Sequence, residues 1–186
     1  MYCKASQGAQ FKDPLFTGYI SAATQAGLPR GAYHFLTFEN ATAAQQVDNF
    51  LGTGINFNAP GTLPPVLDVE WQVPDTLNPY IIAHKAACIQ LIKDWLTGVQ
   101  THTDRKPMIY TNKVFWHDYL GNPPGFGDYQ LWIAAYQSAQ PTLPPGWTNA
   151  TLWQYTGNGK IAGVSGDVDR DRFYGTQADF KKLALL

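Results

Sequence analysis

Short runs of β-branched and aromatic residues alternate with stretches whose apolar positions recur every three or four residues through the first two thirds of the chain. The strand-like runs are Tyr2 to Ala5, Gly31 to Phe35, Leu63 to Trp71 and Pro107 to Tyr110. The first helix is expected to be capped by Asp13, with Pro14 at its first position, and to reach about Ala26 before Gly27 and Pro29. A second, capped by Asn40, should run through Leu51 to the stops at Gly52 and Gly54. The longest should start at Asn78-Pro79 and end near Thr97, burying Ile82, Ala86, Ile89, Ile92 and Leu96 on one face. Asn112 is placed to cap a short helix ending at Leu120.

Strands alternating with helices imply parallel βαβ units. The pattern then changes. Gln130 to Ala135, Thr151 to Tyr155 and a weaker segment near Val168 read as strands joined by Pro- and Gly-rich loops, before a closing helix over Gln177 to Leu185. The count is four βα units followed by two or three bare strands. One unit more in front would give about eight strands, enough to close a barrel. The expected class is therefore α/β, an irregular TIM-like β/α barrel in a single domain over residues 1–186, with its first βα unit missing, because Tyr2 to Ala5 reads as a strand with no lead-in.

The stretch Leu63 to Trp71 carries the chemistry. In a strand, Val66, Asp68 and Glu70 share one face, and Leu67 and Val69 the other. Two carboxyls at this spacing resist ionising together, so one stays able to donate a proton near neutral pH. The expectation is that Asp68 ionises first and that Glu70, desolvated by Trp71, keeps its proton. Other strand ends bring Tyr33, His34 and Phe35, then Tyr110, then Trp132 with Tyr136 beyond it, then Gln154, and finally Asp167, Asp169 and Asp171. Acids and aromatics converging on one rim suit glycoside hydrolysis, which needs a protonated acid, a group that stabilises a cationic centre, and flat platforms for sugar rings.

Composition narrows the partners. With 45% hydrophobic and 15% charged residues the chain is not of the disordered class. A net charge of −1 without a basic stripe argues against nucleic acid. No apolar run approaches the ~20 residues of a membrane span. The four histidines are scattered and the two cysteines have no zinc spacing, so neither a metal nor another cofactor is expected, and Cys3 and Cys88 read as buried free thiols. The opening M-Y-C-K-A-S-Q-G lacks the pattern of a signal peptide.

Several stretches together resemble the glycoside hydrolase family 25 lysozymes, the Chalaropsis-type muramidases. They are K-A-S-Q-G with K-D-P, G-L-P-R-G-A-Y-H-F, L-D-V-E, P-M-I-Y-T-N with F-W, L-W-I-A-A-Y, L-W-Q-Y-T and G-V-S-G-D-V-D-R, in family order over nearly the whole chain. The resemblance implies a barrel of five βα units and three strands, and cleavage of the β-1,4 bond between N-acetylmuramic acid and N-acetylglucosamine in peptidoglycan. It implies Glu70 as proton donor, Asp68 as the group assisting the substrate's 2-acetamido nucleophile, and Asp169 as the acid of the late V-D motif, with Asp167 second to it. Tyr33, Phe35, Tyr110, Trp132 and Tyr136 would line the groove. It further implies a monomer directed at bacterial peptidoglycan, extracellular or at the cell wall. The family's opening strand, roughly Gly-(Ile/Val)-Asp-(Val/Ile)-Ser, and the helix after it have no match here, and Gln7 stands where the family often has an acid. An alternative implied by that departure is a weak or inactive wall-binding module; another is a hydrolase of a related glycan such as chitin.

Overall fold

The computed structural model describes residues 1–186. Eight strands form one sheet: β1 (Tyr2–Gln7), β2 (Phe11–Lys12), β3 (Gly31–Phe35), β4 (Val66–Val69), β5 (Met108–Asn112), β6 (Gln130–Ala134), β7 (Leu152–Gly159) and β8 (Val168–Phe173). Their spatial order is β2-β1-β3-β4-β5-β6-β7-β8. The strands from β1 and β3 through β7 run parallel, while β2 and β8 are antiparallel to their neighbours. The sheet curls into a half-barrel, so that residues of β1 and β8, far apart in strand order, line one apolar cleft.

Alternation along each strand builds two apolar layers. Leu67, Val69, Ile109, Ile133 and Trp153 point outward into the main core, against Trp95 and Leu96 of the long helix and Phe115 and Trp116 of a short one. Val66, Met108, Trp132 and Leu152 point inward, packed with Tyr2, Tyr33, Tyr110 and Phe173. The helices on the outer side are α1 (Phe16–Gln25), α2 (Ala43–Leu51), α3 (Asn78–Ala83), α4 (Lys85–Thr103) and α5 (Lys113–Asp118), with α6 (Gln177–Leu183) closing the chain. No helix is long and apolar enough to cross a membrane. Cys3 and Cys88 are buried free thiols.

Several boundaries differ from the sequence reading, each for a local reason. Asp13 accepts a hydrogen bond from the Leu15 amide (2.9 Å), forming a turn, and the helix begins only at Phe16. Asn40 is not a cap; it takes a left-handed conformation (φ 61°), and Thr42 caps α2 in a reciprocal box with Gln45. The expected long helix is interrupted at His84, which shifts the buried face to Ile81, Cys88, Ile92, Trp95, Leu96 and Val99. Ile82, 54% exposed, and Ala86 are consequently on the solvent side. Gly98 does not end α4, which continues to Thr103; a Cβ there would meet Val47 of α2 at 3.0 Å, so the glycine serves close helix packing. The segment Gly8–Gln10 turns back to make the short strand β2, which has no counterpart in the apolar pattern because both its residues are exposed.

Candidate active site

The pairing register sets the site. Gln7, Phe35, Asp68, Tyr110, Trp132 and Leu152 are aligned in one row across six neighbouring strands. One row below run Lys4, Tyr33, Val66 and Met108. In β1, β3 and β4 the row containing Asp68 lies at or near the C-terminal end, where a parallel β/α sheet carries its chemistry. A pocket there is walled by Tyr33, Val66, Tyr110 and Trp132, with Asp68, Glu70, Gln154 and Asp169 as its polar groups.

Asp68 is only 6% exposed, and its Oδ1 has no hydrogen-bond partner although fully buried. Its carboxyl hydrogen-bonds that of Glu70. Burial first, then the neighbouring Glu70 charge, raises Asp68 well above the usual carboxylate range. Burial also raises Glu70, but the hydrogen bond from Asp68 holds it down. Burial thus raises both carboxyls, the deeper Asp68 well above its ordinary range, and the two groups titrate as one pair. Trp71 does not desolvate Glu70. Adjacent residues point to opposite sides, and Trp71 packs edge-on against Phe115 (5.5 Å) and Tyr119 (6.3 Å), away from the pocket.

The loop after Glu70 is tied to the scaffold by Gln72, whose side-chain amide donates to the carbonyls of Leu36 (3.0 Å) and Glu70 (3.1 Å). The Gln72 backbone N–H in turn donates to the buried Asn78 Oδ1 (2.7 Å). Gln154 accepts from the hydroxyls of Tyr110 (2.8 Å) and Tyr136 (3.0 Å), joining the pocket wall to its rim. Tyr136 itself is 65% exposed and stands at the rim rather than in the pocket lining. Phe35 also stays outside the lining; its ring lies beneath the Lys4 ammonium at 4.9 Å.

The three acids of β8 and its approach separate. Asp169 reaches the pocket, and desolvation raises its carboxyl. Asp171 accepts a 2.7 Å hydrogen bond from Trp132 Nε1 and is raised to about 6, chiefly by burial. Asp167 pairs with Lys160 on the surface. Gln154 and Lys4 are members of the neighbourhood that the motif reading did not single out as site residues. Gln154 was detectable as a polar residue in the inward phase of β7, in step with Leu152. No group of three or more His, Cys, Asp or Glu is arranged to hold a metal ion.

The model of glycosyl hydrolases family 25 matches residues 1–164. Lysozyme M1 of Streptomyces globisporus is 33% identical over 98% of this chain, which spans 62% of that protein. An N,O-diacetylmuramidase of Chalaropsis is 33% identical over 89% of this chain and 82% of its own length. The crystal structure of a bacterial lysozyme from Streptomyces coelicolor superposes with a TM-score of 0.91 at 33% identity, covering 98% of this chain and 84% of that one. The chain therefore spans less than two thirds of the first curated relative it matches.

Proposed function

The chain belongs to family 25 of the glycosyl hydrolases, and on that premise we propose that it is a lysozyme-type muramidase. Its substrate is the β-1,4 bond between N-acetylmuramic acid and N-acetylglucosamine of bacterial peptidoglycan, on which it acts as a monomer at the cell wall. The observation that carries this reading is the close Asp68–Glu70 carboxyl pair at the base of an aromatic-walled pocket, with Asp169 facing it.

Tyr33, Tyr110 and Trp132 offer ring faces to the sugar, and Tyr136 extends the platform at the rim. Asp68 Oδ1, a buried acceptor without a partner, suits the N–H of the substrate's 2-acetamido group. The acetamido oxygen attacks C1 as the bond from C1 to the leaving oxygen breaks. The pair's one proton passes from Asp68 across its hydrogen bond through Glu70 to that oxygen, which leaves Asp68 as the anion beside the positively charged ring that forms. A water then attacks C1, the ring opens back to the acetamide, and Glu70 takes up the water's proton. Asp169 lies where its charge favours the cationic centre.

Glu70→Gln keeps the shape of the side chain but has no proton to transfer. It should lower the release of reducing ends from purified cell walls by about 10²–10⁴-fold, with pull-down on the same walls unchanged. Near-normal release would move the acid elsewhere, to Asp169 first.

A further inference from the structure

Lys4 and Gln7 are three residues apart and would face opposite sides of a regular strand. The register of β1 against β3 shifts between Lys4 and Ser6, a bulge that turns Gln7 onto the face of Lys4. The Lys4 ammonium then donates to Gln7 Oε1 at 2.6 Å and lies over the rings of Phe35 (4.9 Å) and Phe11 (5.6 Å). Gln7, Phe35 and Asp68 form one row, so the ammonium is raised from its own row to the level of Asp68, with only β3 between them. Gln7 is neutral and leaves the charge uncompensated. The other nearby lysine, Lys160, is occupied by Asp167.

We propose that Lys4 is a positioning residue for the Asp68–Glu70 pair: held by the neutral Gln7, it supplies the one free positive charge at the mouth of the half-barrel and sets the pH at which the pair gives up its proton. This deepens the reading above and rests on Asp68 and Glu70 being the working carboxyls. The groups that face the same space are Tyr33 of β3, Asp68 and Glu70 of β4, Tyr110 of β5, Tyr136 beyond β6, and Asp169 and Asp171 of β8, with Tyr2 beneath and Glu39 beside Gln7 in the adjoining surface groove. All of these are acids or phenols; the N-terminal ammonium of Met1, which borders the same cleft from beneath, donates to the Pro29 carbonyl (2.6 Å) and acts on Asp171. Lys4 is the cation that acts on both Asp68 and Glu70, and it opposes the effect of burial on each.

The test follows the carboxyl ¹³C signals of Asp68 and Glu70 through a pH titration of the free protein, so it needs no turnover and stands even if wall hydrolysis is not found. Lys4→Met removes the charge. Gln7→Glu keeps Lys4 in place but neutralises it with an ion pair. Both should move the midpoint of the pair upward by about half a pH unit or more, whereas Lys4→Arg should leave it near the wild-type value. A purely structural lysine would give no upward shift in Lys4→Met; the carboxylate added in Gln7→Glu also acts on the pair directly, so that variant bears only on the part assigned to Gln7. Unchanged midpoints in both charge-altering variants would overturn the proposal, and a shift in Lys4→Met alone would overturn the part assigned to Gln7.

Discussion

Burial raises both carboxyls of the pair, and most plainly the deeper one. Asp68 belongs to a strand whose four residues are all buried, while Glu70, just beyond its end, is partly open. A carboxyl raised by burial favours the fold in its neutral form. That contribution is complete below its ordinary value of 3.8 and is lost as the pH rises through the folded value. Asp68→Asn stays neutral at every pH, so it should be more thermostable than the parent at pH 8 and close to it at pH 3.5, while losing turnover. For a domain of this size each kcal/mol corresponds to about 2–4 °C in melting temperature. A melting difference that does not change with pH would show that Asp68 is not desolvated in solution. At this scale the sequence was informative where alternation alone decides orientation: Asp68, Glu70, Tyr110 and Trp132 were all identified from strand ends. It misled where adjacency was taken for contact, as with Trp71, and it was silent where a bulge changes the phase, as with Lys4 and Gln7.

Elements are held in register by polar groups buried between them. His34 of β3 accepts from Ser6 Oγ of β1 at Nδ1 (2.8 Å) and donates from Nε2 to Gln46 Oε1 of α2 (3.1 Å), with Trp95 of α4 stacked on its ring at 5.5 Å. Gln46 also spans the Thr37 amide and carbonyl, so one histidine fixes two strands, two helices and the loop that follows β3. Burial lowers this imidazole from 6.5 to about 4. Its neutral form therefore supports the fold fully above 6.5, and that support is lost as the pH falls from 6.5 towards 4. The loss at the acid limit is roughly 3 kcal/mol, at about 1.4 kcal/mol per pH unit. Imidazole ¹⁵N shifts should show His34 titrating near 4; a midpoint near 6.5 would mean that the Ser6–His34–Gln46 chain is open in solution. Such ties explain which element boundaries were legible. Strands and the existence of each helix followed from apolar period, because burial imposes it. The cap at Thr42, the break at His84 and the passage of α4 through Gly98 depend on partners distant in sequence, Val47 against Gly98 among them.

At the scale of the molecule, the two ends of the half-barrel have separate tasks. The carboxylates occupy the C-terminal mouth, and α6 covers the opposite end, where Phe180 packs on Phe173 of β8 at 5.3 Å and Leu183 enters the cleft between β1 and β8. The order of strands and the change to bare strands after β5 could be read from the spacing of apolar runs. The attachment of α6 could not, since besides its apolar contacts it draws on an arginine acting across distant loops. Arg105, just before β5, donates to the carbonyls of Phe57 (2.7 Å), Thr62 (2.9 Å) and Leu183 (2.9 Å). Hydrogen bonds from a charged donor contribute about 1.5–3 kcal/mol each when fully buried, and these three, being only partly buried, contribute about that much together; a lysine lacks the planar fork that reaches several carbonyls at once. Arg105→Met should therefore lower the melting temperature by about 5–10 °C, on the scale of about 2–4 °C per kcal/mol. Amide exchange in α6 should speed up first, and Arg105→Lys should restore only part of the protection. Because the two ends are separated by the length of the strands, the titration midpoint of Asp68 and Glu70 should stay where it is in the parent. Retained protection of α6 in Arg105→Met would mean that Phe180 and Leu183 hold the helix by apolar contact alone.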